Sequence, residues 1–157
     1  MTGFRRGARI GVDVGKARVG VARSDPDGLM AVPVETVPRK GPSVARVVAI
    51  AGEHAATEIL VGLPLNMRGE DTASTQDARD FAAAVAAASD VPVRLVDERL
   101  STVSAHAALR DAGRSQRSSR SIVDQVAAVV LLQQALDVEK STGRPPGTPV
   151  SPAQEPA

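Results

Sequence analysis

Residues 10–25, IGVDVGKARVGVARSD, decide the fold of this chain. Two apolar runs, at 8–12 and 18–22, flank a short polar segment, in which Gly15 permits a tight reversal where a side chain would clash. The stretch predicts a β-hairpin whose first strand ends in Asp13. A buried carboxylate needs a cation or hydrogen bonds to compensate its charge. Asp13 therefore either caps the turn or belongs to a chemical site, and this stretch alone leaves both interpretations open.

The rest of the chain predicts an α/β domain with a mixed sheet. Pro33 and Pro38 accompany a third strand and place it at a sheet edge. Continuous apolar runs predict two buried parallel strands, and helical periodicity predicts four helices. The predicted strands are 9–13, 18–23, 29–37, 58–62 and 91–96, and the helices are 44–57, 72–88, 101–112 and 121–138. This order of strands and helices predicts a five-stranded sheet with helices on both faces.

The length of 157 residues suits one domain, which we assign to residues 1–138. Hydrophobic residues make up 43% of the chain, enough for a core. The remaining segment, 139–157, holds five prolines and little to bury, so we predict a disordered tail.

Composition excludes several classes of function. The absence of Cys excludes disulfide scaffolds and thiolate metal sites. The absence of Trp and Tyr argues against aromatic platforms that stack on bases. The net charge of +1 means that any surface for a polyanion must be local. No apolar run resembles a signal peptide or a membrane span, so we expect a cytoplasmic protein without membrane partners.

Carboxylates collect where we expect a site. Asp13 ends one predicted strand, and Asp97 and Glu98 end another, at the sheet edge where α/β proteins form sites. Asp124 shares a helix face with apolar residues, which either turns it toward the sheet or only places it near a favourable helix N-terminus. Three converging carboxylates suit Mg²⁺ or Mn²⁺, and a pair of such ions supports phosphodiester cleavage.

Other side chains carry weaker signals. His54 and His106 lie on separate predicted helices, so we expect packing or surface roles rather than metal binding. Basic residues beside the carboxylates either contact phosphate or balance the acidic charge: Lys16, Arg18 and Arg99. A polar segment that we predict as a mobile loop, 113–121, carries three arginines that either follow a nucleic-acid backbone or belong to a solvated linker: Arg114, Arg117 and Arg120. The loop 63–74, LPLNMRGEDTAS, either lines the cleft or is an ordinary connection.

Four motifs occur in the order found in a known family. They are DVGKARVGVARSD, VGLPLNMRGEDT, VDERLSTVSA and IVDQVAAVVLL, and with them residues 8–138 resemble the YqgF/RuvX family. This family is described as Holliday junction resolvases or pre-16S rRNA nucleases. The resemblance implies a ribonuclease H-like fold with a five-stranded sheet whose second strand is antiparallel. It also implies an acidic catalytic and metal site at Asp13, Glu98 and Asp124, and so selects Glu98 over Asp97.

We expect a nuclease that uses Mg²⁺ or Mn²⁺ to mature the 5′ end of pre-16S rRNA, acting on structured RNA and on ribosomal precursor particles as a monomer or homodimer. One alternative is a resolvase of branched DNA. Another is a non-catalytic factor that binds the ribosome or transcription machinery. ATP binding by an actin-like fold is a further interpretation of the hairpin, but that fold needs two such domains.

Overall fold

A computed structural model describes residues 4–100 and 116–151, apart from the side chains of residues 100 and 116–124. The strands are β1 (Arg9–Val14), β2 (Arg18–Ser24), β3 (Ala31–Pro38), β4 (Glu58–Leu63), β5 (Val93–Asp97) and β6 (Thr148–Pro149). The helices are α1 (Ser43–Glu53), α2 (Ala73–Ala88) and α3 (Gln116–Thr142), and a 3₁₀ turn covers Glu98–Leu100. The strands form one sheet in the order β3-β2-β1-β4-β5-β6.

The sheet is mixed, as predicted, and β3 lies at its edge. β1, β4 and β5 are parallel, whereas β2 is antiparallel to β1 and to β3. The three parallel strands therefore end at the same edge of the sheet, which we call the carboxyl edge. Asp13 and Asp97 lie in the last residues of β1 and β5, so both reach this edge.

Each face of the sheet has its own core. On one face, Ile10 and Val12 of β1 are fully buried with residues of α1 and α2. On the other face, α3 packs on Ala22 and Leu60 of the sheet through a second aliphatic cluster. Side chains alternate between faces along a strand, so Gly11 and Asp13 point to the side that α3 covers. Fully burying each aliphatic side chain stabilises by about 1.5–3 kcal/mol, so a core almost free of aromatics suffices.

An ionic cluster holds α3 to the opposite edge of the sheet. The Arg9 Nη2 donates to Glu139 Oε2 at 3.0 Å, and both residues are only 1% exposed. Arg5 Nη2 donates to Glu139 Oε1 at 2.7 Å and to Glu58 Oε1 at 3.0 Å. Two cations thus face two carboxylates, which compensates charges that burial would otherwise make costly. Sequence analysis did not find this cluster, because its members are up to 134 residues apart.

Two predictions about the C-terminal part need correction. The sheet has six strands rather than five, because β6 pairs antiparallel with β5. The prediction of a disordered tail is therefore wrong for residues 139–151, of which the first four extend α3 to Thr142. The physical reason is twofold: the Nε of Arg94 donates to the carbonyl of Pro146 at 2.7 Å, and Val150 packs against the aliphatic core of the α1 and α2 face.

The predicted loop 113–121 also differs from the structure. α3 begins at Gln116 rather than at residue 121, so residues 116–121 are helical. Residues 113–115 and the predicted helix 101–112 lie outside the described residues, as do 152–157 at the chain end. In the described parts of the chain, none of the helices has the length and apolar character needed to cross a membrane.

Candidate active site

The hairpin presents Asp13 at the carboxyl edge, on the face that α3 covers. α3 approaches β1 so closely that a Cβ on Gly11 would lie 2.8 Å from Leu132 Cβ and 3.1 Å from the Ala128 carbonyl oxygen. Gly11 is two residues before Asp13, so the side chain of Asp13 points to the same face. The chain then reverses at Gly15, whose amide donates to the carbonyl of Arg18 at 2.9 Å. Asp13 is half-buried at this reversal.

A glycine on the neighbouring strand makes room for the second carboxylate. Glu98 begins the 3₁₀ turn that follows β5, and its side chain lies against Gly62 of β4. A Cβ on residue 62 would overlap the Glu98 carboxylate and lie 2.8 Å from its Cγ. The glycine in the motif VGLP therefore has a structural reason, which sequence analysis missed. The signal that could have revealed this role is a glycine near the end of a strand whose other residues are apolar.

The side chains of Asp13 and Glu98 approach each other at this edge. Burial contributes most, and with it a hydrogen bond to Asp13 and the negative charges of Asp13 and Asp97 raise the pKa of Glu98 to about 9. Near neutral pH Glu98 therefore keeps its proton. Two carboxylates so close together favour either a proton or a cation between them.

Asp97 has a different environment from its neighbour. Its carboxylate accepts hydrogen bonds from the Arg99 guanidinium, with Nη2 to Oδ2 at 2.6 Å, and from the Arg99 amide at 2.9 Å. These contacts lower the pKa of Asp97 below its usual value. The structure thus separates two acids that spacing alone left equivalent: Glu98 points toward Asp13, and Asp97 is an ion-pair partner.

Helix α3 brings the backbone of residue 124 toward the same edge. Glu139 contacts Arg9 at the start of β1, whereas Ala128 contacts Gly11, so α3 runs antiparallel to β1. Asp124 lies one helical turn before Ala128, in the direction of Asp13. Its side chain is among those not described. Among the side chains that are described, no group of three or more His, Cys, Asp or Glu residues could hold a metal ion.

The predicted basic residues have different environments. Lys16 is exposed on the β1–β2 turn and Arg18 is half-buried beside it, whereas the guanidinium of Arg99 is paired with Asp97. Arg117 and Arg120 lie in the first turns of α3, and their side chains are not described. Arg114 lies outside the described residues.

The loop 63–74 approaches the end of β5, since a Cβ on Gly69 would lie 3.1 Å from Arg99 Nη1. His54 follows α1, which packs on the face away from α3, and His106 lies outside the described residues.

Comparison with known proteins identifies the family. The family model described as "RuvX: Holliday junction resolvase" matches residues 7–138. A protein of Clavibacter michiganensis named "Putative pre-16S rRNA nuclease" is 56% identical over 147 residues, which cover 92% of this chain and 91% of that protein. A protein of the same name from Leifsonia xyli is 53% identical over 95% of this chain and 97% of its own.

Solved structures support the fold. RuvC of Thermus thermophilus in complex with a Holliday junction substrate has a TM-score of 0.55, with 17% identity over 90% of this chain and 98% of that chain. Another structure of RuvC from the same organism has a TM-score of 0.53. These values show a shared ribonuclease H-like architecture, and the sequence matches confirm the resemblance stated from the motifs. The chain belongs to the RuvX family.

Proposed function

We propose that this protein is a divalent-metal-dependent endonuclease that matures the 5′ end of pre-16S rRNA. The observation that carries the proposal is the placement of Glu98, in the space beside Gly62, next to Asp13 at the carboxyl edge. The sequence relatives named as pre-16S rRNA nucleases support the choice of substrate. A precursor rRNA substrate, free or in a ribosomal precursor particle, would also place the protein in the cytoplasm.

The residues present fit a hard divalent cation. Asp13 and Glu98 offer only oxygen donors, which Mg²⁺ and Mn²⁺ prefer. Burial and the neighbouring charges of Asp13 and Asp97 raise the pKa of Glu98, so a cation bound beside Asp13 and Glu98 would displace the proton that Glu98 otherwise holds. We propose that Asp13, Glu98 and Asp124 hold the ion, which would activate water and stabilise the leaving oxygen when bound.

The protein's own groups prepare this pocket. Glu98 gives up its proton when it becomes a ligand, which makes metal affinity rise with pH. Gly62 leaves space for Glu98, and the ion pair of Arg99 with Asp97 keeps that neighbouring charge partly neutralised. Lys16 and Arg18 flank Asp13 and are placed to attract the negatively charged backbone of a substrate.

Resolution of Holliday junctions is the second candidate. It is favoured by the description of the matching family model and by the fold shared with RuvC. Both candidates use the same acids and differ only in the substrate that reaches them.

We further propose that the catalytic unit is residues 1–138, to which the following residues add stability. We also propose that the protein acts as a monomer or homodimer, which light scattering would measure.

A cleavage assay tests the proposal. Purified protein is mixed with a precursor rRNA leader, a four-way DNA junction or linear duplexes, with Mg²⁺ or Mn²⁺. Asp13→Asn, which removes one charge with little change of shape, should abolish cleavage and preserve the fold. Cleavage of the leader alone supports the rRNA function, and cleavage of the junction alone supports the resolvase. Equal rates for Asp13→Asn and the parent would refute the catalytic role. Binding of the leader without any cleavage would instead favour a non-catalytic ribosome or transcription factor.

A further inference from the structure

Two exposed lysines lie on adjacent backbone segments at the carboxyl edge. The amide of Arg39 donates to the carbonyl of Ala17 at 2.9 Å, which extends the pairing of β2 with β3 beyond Pro38. Lys16 and Lys40 are the next residues outward on the two segments, and both are exposed. We call Lys16 and Lys40 the lysine pair. The chain has three lysines in all, and the third, Lys140, is near the end of α3 at the opposite edge.

The backbone beneath the lysine pair is held by Arg39. Its Nη1 donates to the carbonyl of Gly15 at 2.9 Å, and its guanidinium makes a two-pronged ion pair with Asp77 of α2 at 2.9 and 3.0 Å. The guanidinium also lies 5.4 Å from the centroid of the Phe81 ring. Arg39 is therefore occupied by protein groups and fixes the hairpin turn against the segment that carries Lys40. A preformed turn lowers the entropy lost when a ligand binds.

The charge of the lysine pair is available for a ligand. Among the described residues, no carboxylate lies within ion-pair distance of Lys16 or Lys40, and the neighbouring acid Asp77 is neutralised by Arg39. By contrast, nearby surface arginines are paired, for example Arg46 with Glu35 and Arg99 with Asp97. Lys16 is three residues from Asp13, so a ligand on the lysine pair would pass the acidic site. The ligand chemistry that fits two exposed ammonium groups beside a nuclease site is a chain of phosphates.

We propose that Lys16 and Lys40 bind successive backbone phosphates of the nucleic-acid strand as it leaves the acidic site on the side of the hairpin turn. This inference rests on the proposed function and names the path of its substrate. The contact is with the sugar–phosphate backbone, so it adds affinity without preference for sequence. RNA and DNA both offer this chemistry, and the experiment includes one arm for each.

Lysine footprinting tests the contact directly. The protein is acylated with an N-hydroxysuccinimide ester in three samples: alone, with the rRNA leader, and with the four-way DNA junction. Ca²⁺ is present in each sample so that the protein binds the nucleic acid without cleaving it. Mass spectrometry then follows each lysine. We expect nucleic acid to slow the modification of Lys16 and Lys40 severalfold and to leave that of Lys140 unchanged. Protection by the leader identifies RNA as the source of the phosphates, and protection by the junction identifies DNA. Unchanged modification of the lysine pair in both arms would overturn the proposal.

A salt titration supplies an independent measurement. The double variant Lys16→Ser with Lys40→Ser should flatten the slope of log affinity against log salt by about 1.4 for a single strand and about 1.8 for a duplex. The control removes two exposed charges from the opposite edge, Arg6→Ser with Arg144→Ser, and should keep the slope; of the two, Arg6 is paired with Asp27. Equal slopes for the lysine variant and the parent, or equal losses in both variants, would contradict the proposal.

The two proposals fail in different ways. If Asp13→Asn is inactive while the lysine variant binds like the parent, the nuclease function stands and the lysine path is wrong. If nucleic acid protects the lysine pair while Asp13→Asn cleaves like the parent, the binding path stands and the catalytic assignment is wrong.

Discussion

Gly62 leaves the space that the Glu98 carboxylate fills, because a methyl group on residue 62 would clash with Glu98 Oε1 and lie 2.9 Å from its Cδ. This contact joins β4 to the turn after β5 and leaves the space in which Glu98 meets Asp13. A strand residue with no side chain is therefore part of the acidic site. One added methyl group at residue 62 would displace the Glu98 carboxylate.

Gly62→Ala should impair the acidic site. A displacement of a catalytic group by about 1 Å costs on the order of 100-fold in rate, so we expect a loss of that size in cleavage and weaker Mg²⁺ binding by calorimetry. Gly52→Ala is the matched control, because nothing lies within 4 Å of a Cβ at that helical position. Gly52→Ala should cleave like the parent. Equal rates for the two variants would show that Glu98 does not need its present position.

The metal-free protein should become less stable as pH rises between about 4.5 and 9. The folded pKa of Glu98 is raised to about 9, so the folded state binds more protons than the unfolded chain in this window. One such group contributes a slope of at most about 1.4 kcal/mol per pH unit.

The variant Glu98→Gln tests this dependence, because glutamine resembles the protonated acid at every pH. In EDTA, we expect Glu98→Gln to exceed the parent in stability at pH 8 and to approach it near pH 5, as measured by urea unfolding. Asp97→Asn is the control and should lack this gain, because Arg99 favours the charged form of Asp97. A gap between Glu98→Gln and the parent that does not change with pH would refute the raised pKa of Glu98.

Deletion of residues 143–157 should destabilise the domain. It removes the two hydrogen bonds from the Arg94 side chain to Pro146 and Gly147, and the backbone bond from Val150 to Val93. At about 1 kcal/mol for each bond, we expect a loss of about 2–3 kcal/mol in the free energy of unfolding. The deletion also exposes the edge of β5 and should promote aggregation. The shorter deletion of 152–157 should have no effect. Coincident urea curves for both deletions would show that β6 contributes nothing.

Glu139→Gln should destabilise the fold and leave the acidic site intact. It leaves Arg9, which is 1% exposed, with less compensation for its charge, and breaking a buried ion pair costs about 3–5 kcal/mol. Glu53→Gln breaks a surface pair with Arg46 and should cost less than about 1 kcal/mol. Cleavage at a temperature where all three proteins are folded should be equal, because Glu139 lies at the opposite edge. Similar unfolding midpoints for the two variants would contradict a structural role for the ionic cluster.

Replacing Arg114, Arg117 and Arg120 by Ser should weaken nucleic-acid binding. If all three contact phosphates, the slope of log affinity against log salt should flatten by about two units, with little change in sequence preference. Arg117 and Arg120 are three residues apart in the first turns of α3 and so share a helix face. A salt titration in Ca²⁺ measures the slope. An unchanged slope would leave the lysine pair as the binding path.

The sequence by itself determined the features that depend on neighbours along the chain. Gly15 and the two apolar runs beside it specify the hairpin, the prolines place β3 at an edge, and continuous apolar runs specify β4 and β5. Strand order then predicts that Asp13 and the acids after β5 share one edge. Local periodicity predicts these strands and turns, because the preference of a residue for strand, helix or turn depends on its nearest neighbours in the chain.

The tertiary structure alone decided which groups meet across long separations. It directs Glu98 toward Asp13 through the space at Gly62, and it pairs Asp97 with Arg99. It also recruits residues 148–149 as a sixth strand through Arg94, 52 residues away from its partner Pro146. These contacts leave no periodic pattern in the sequence, because they depend on the close approach of backbones and on charges that become neighbours only after the sheet has formed.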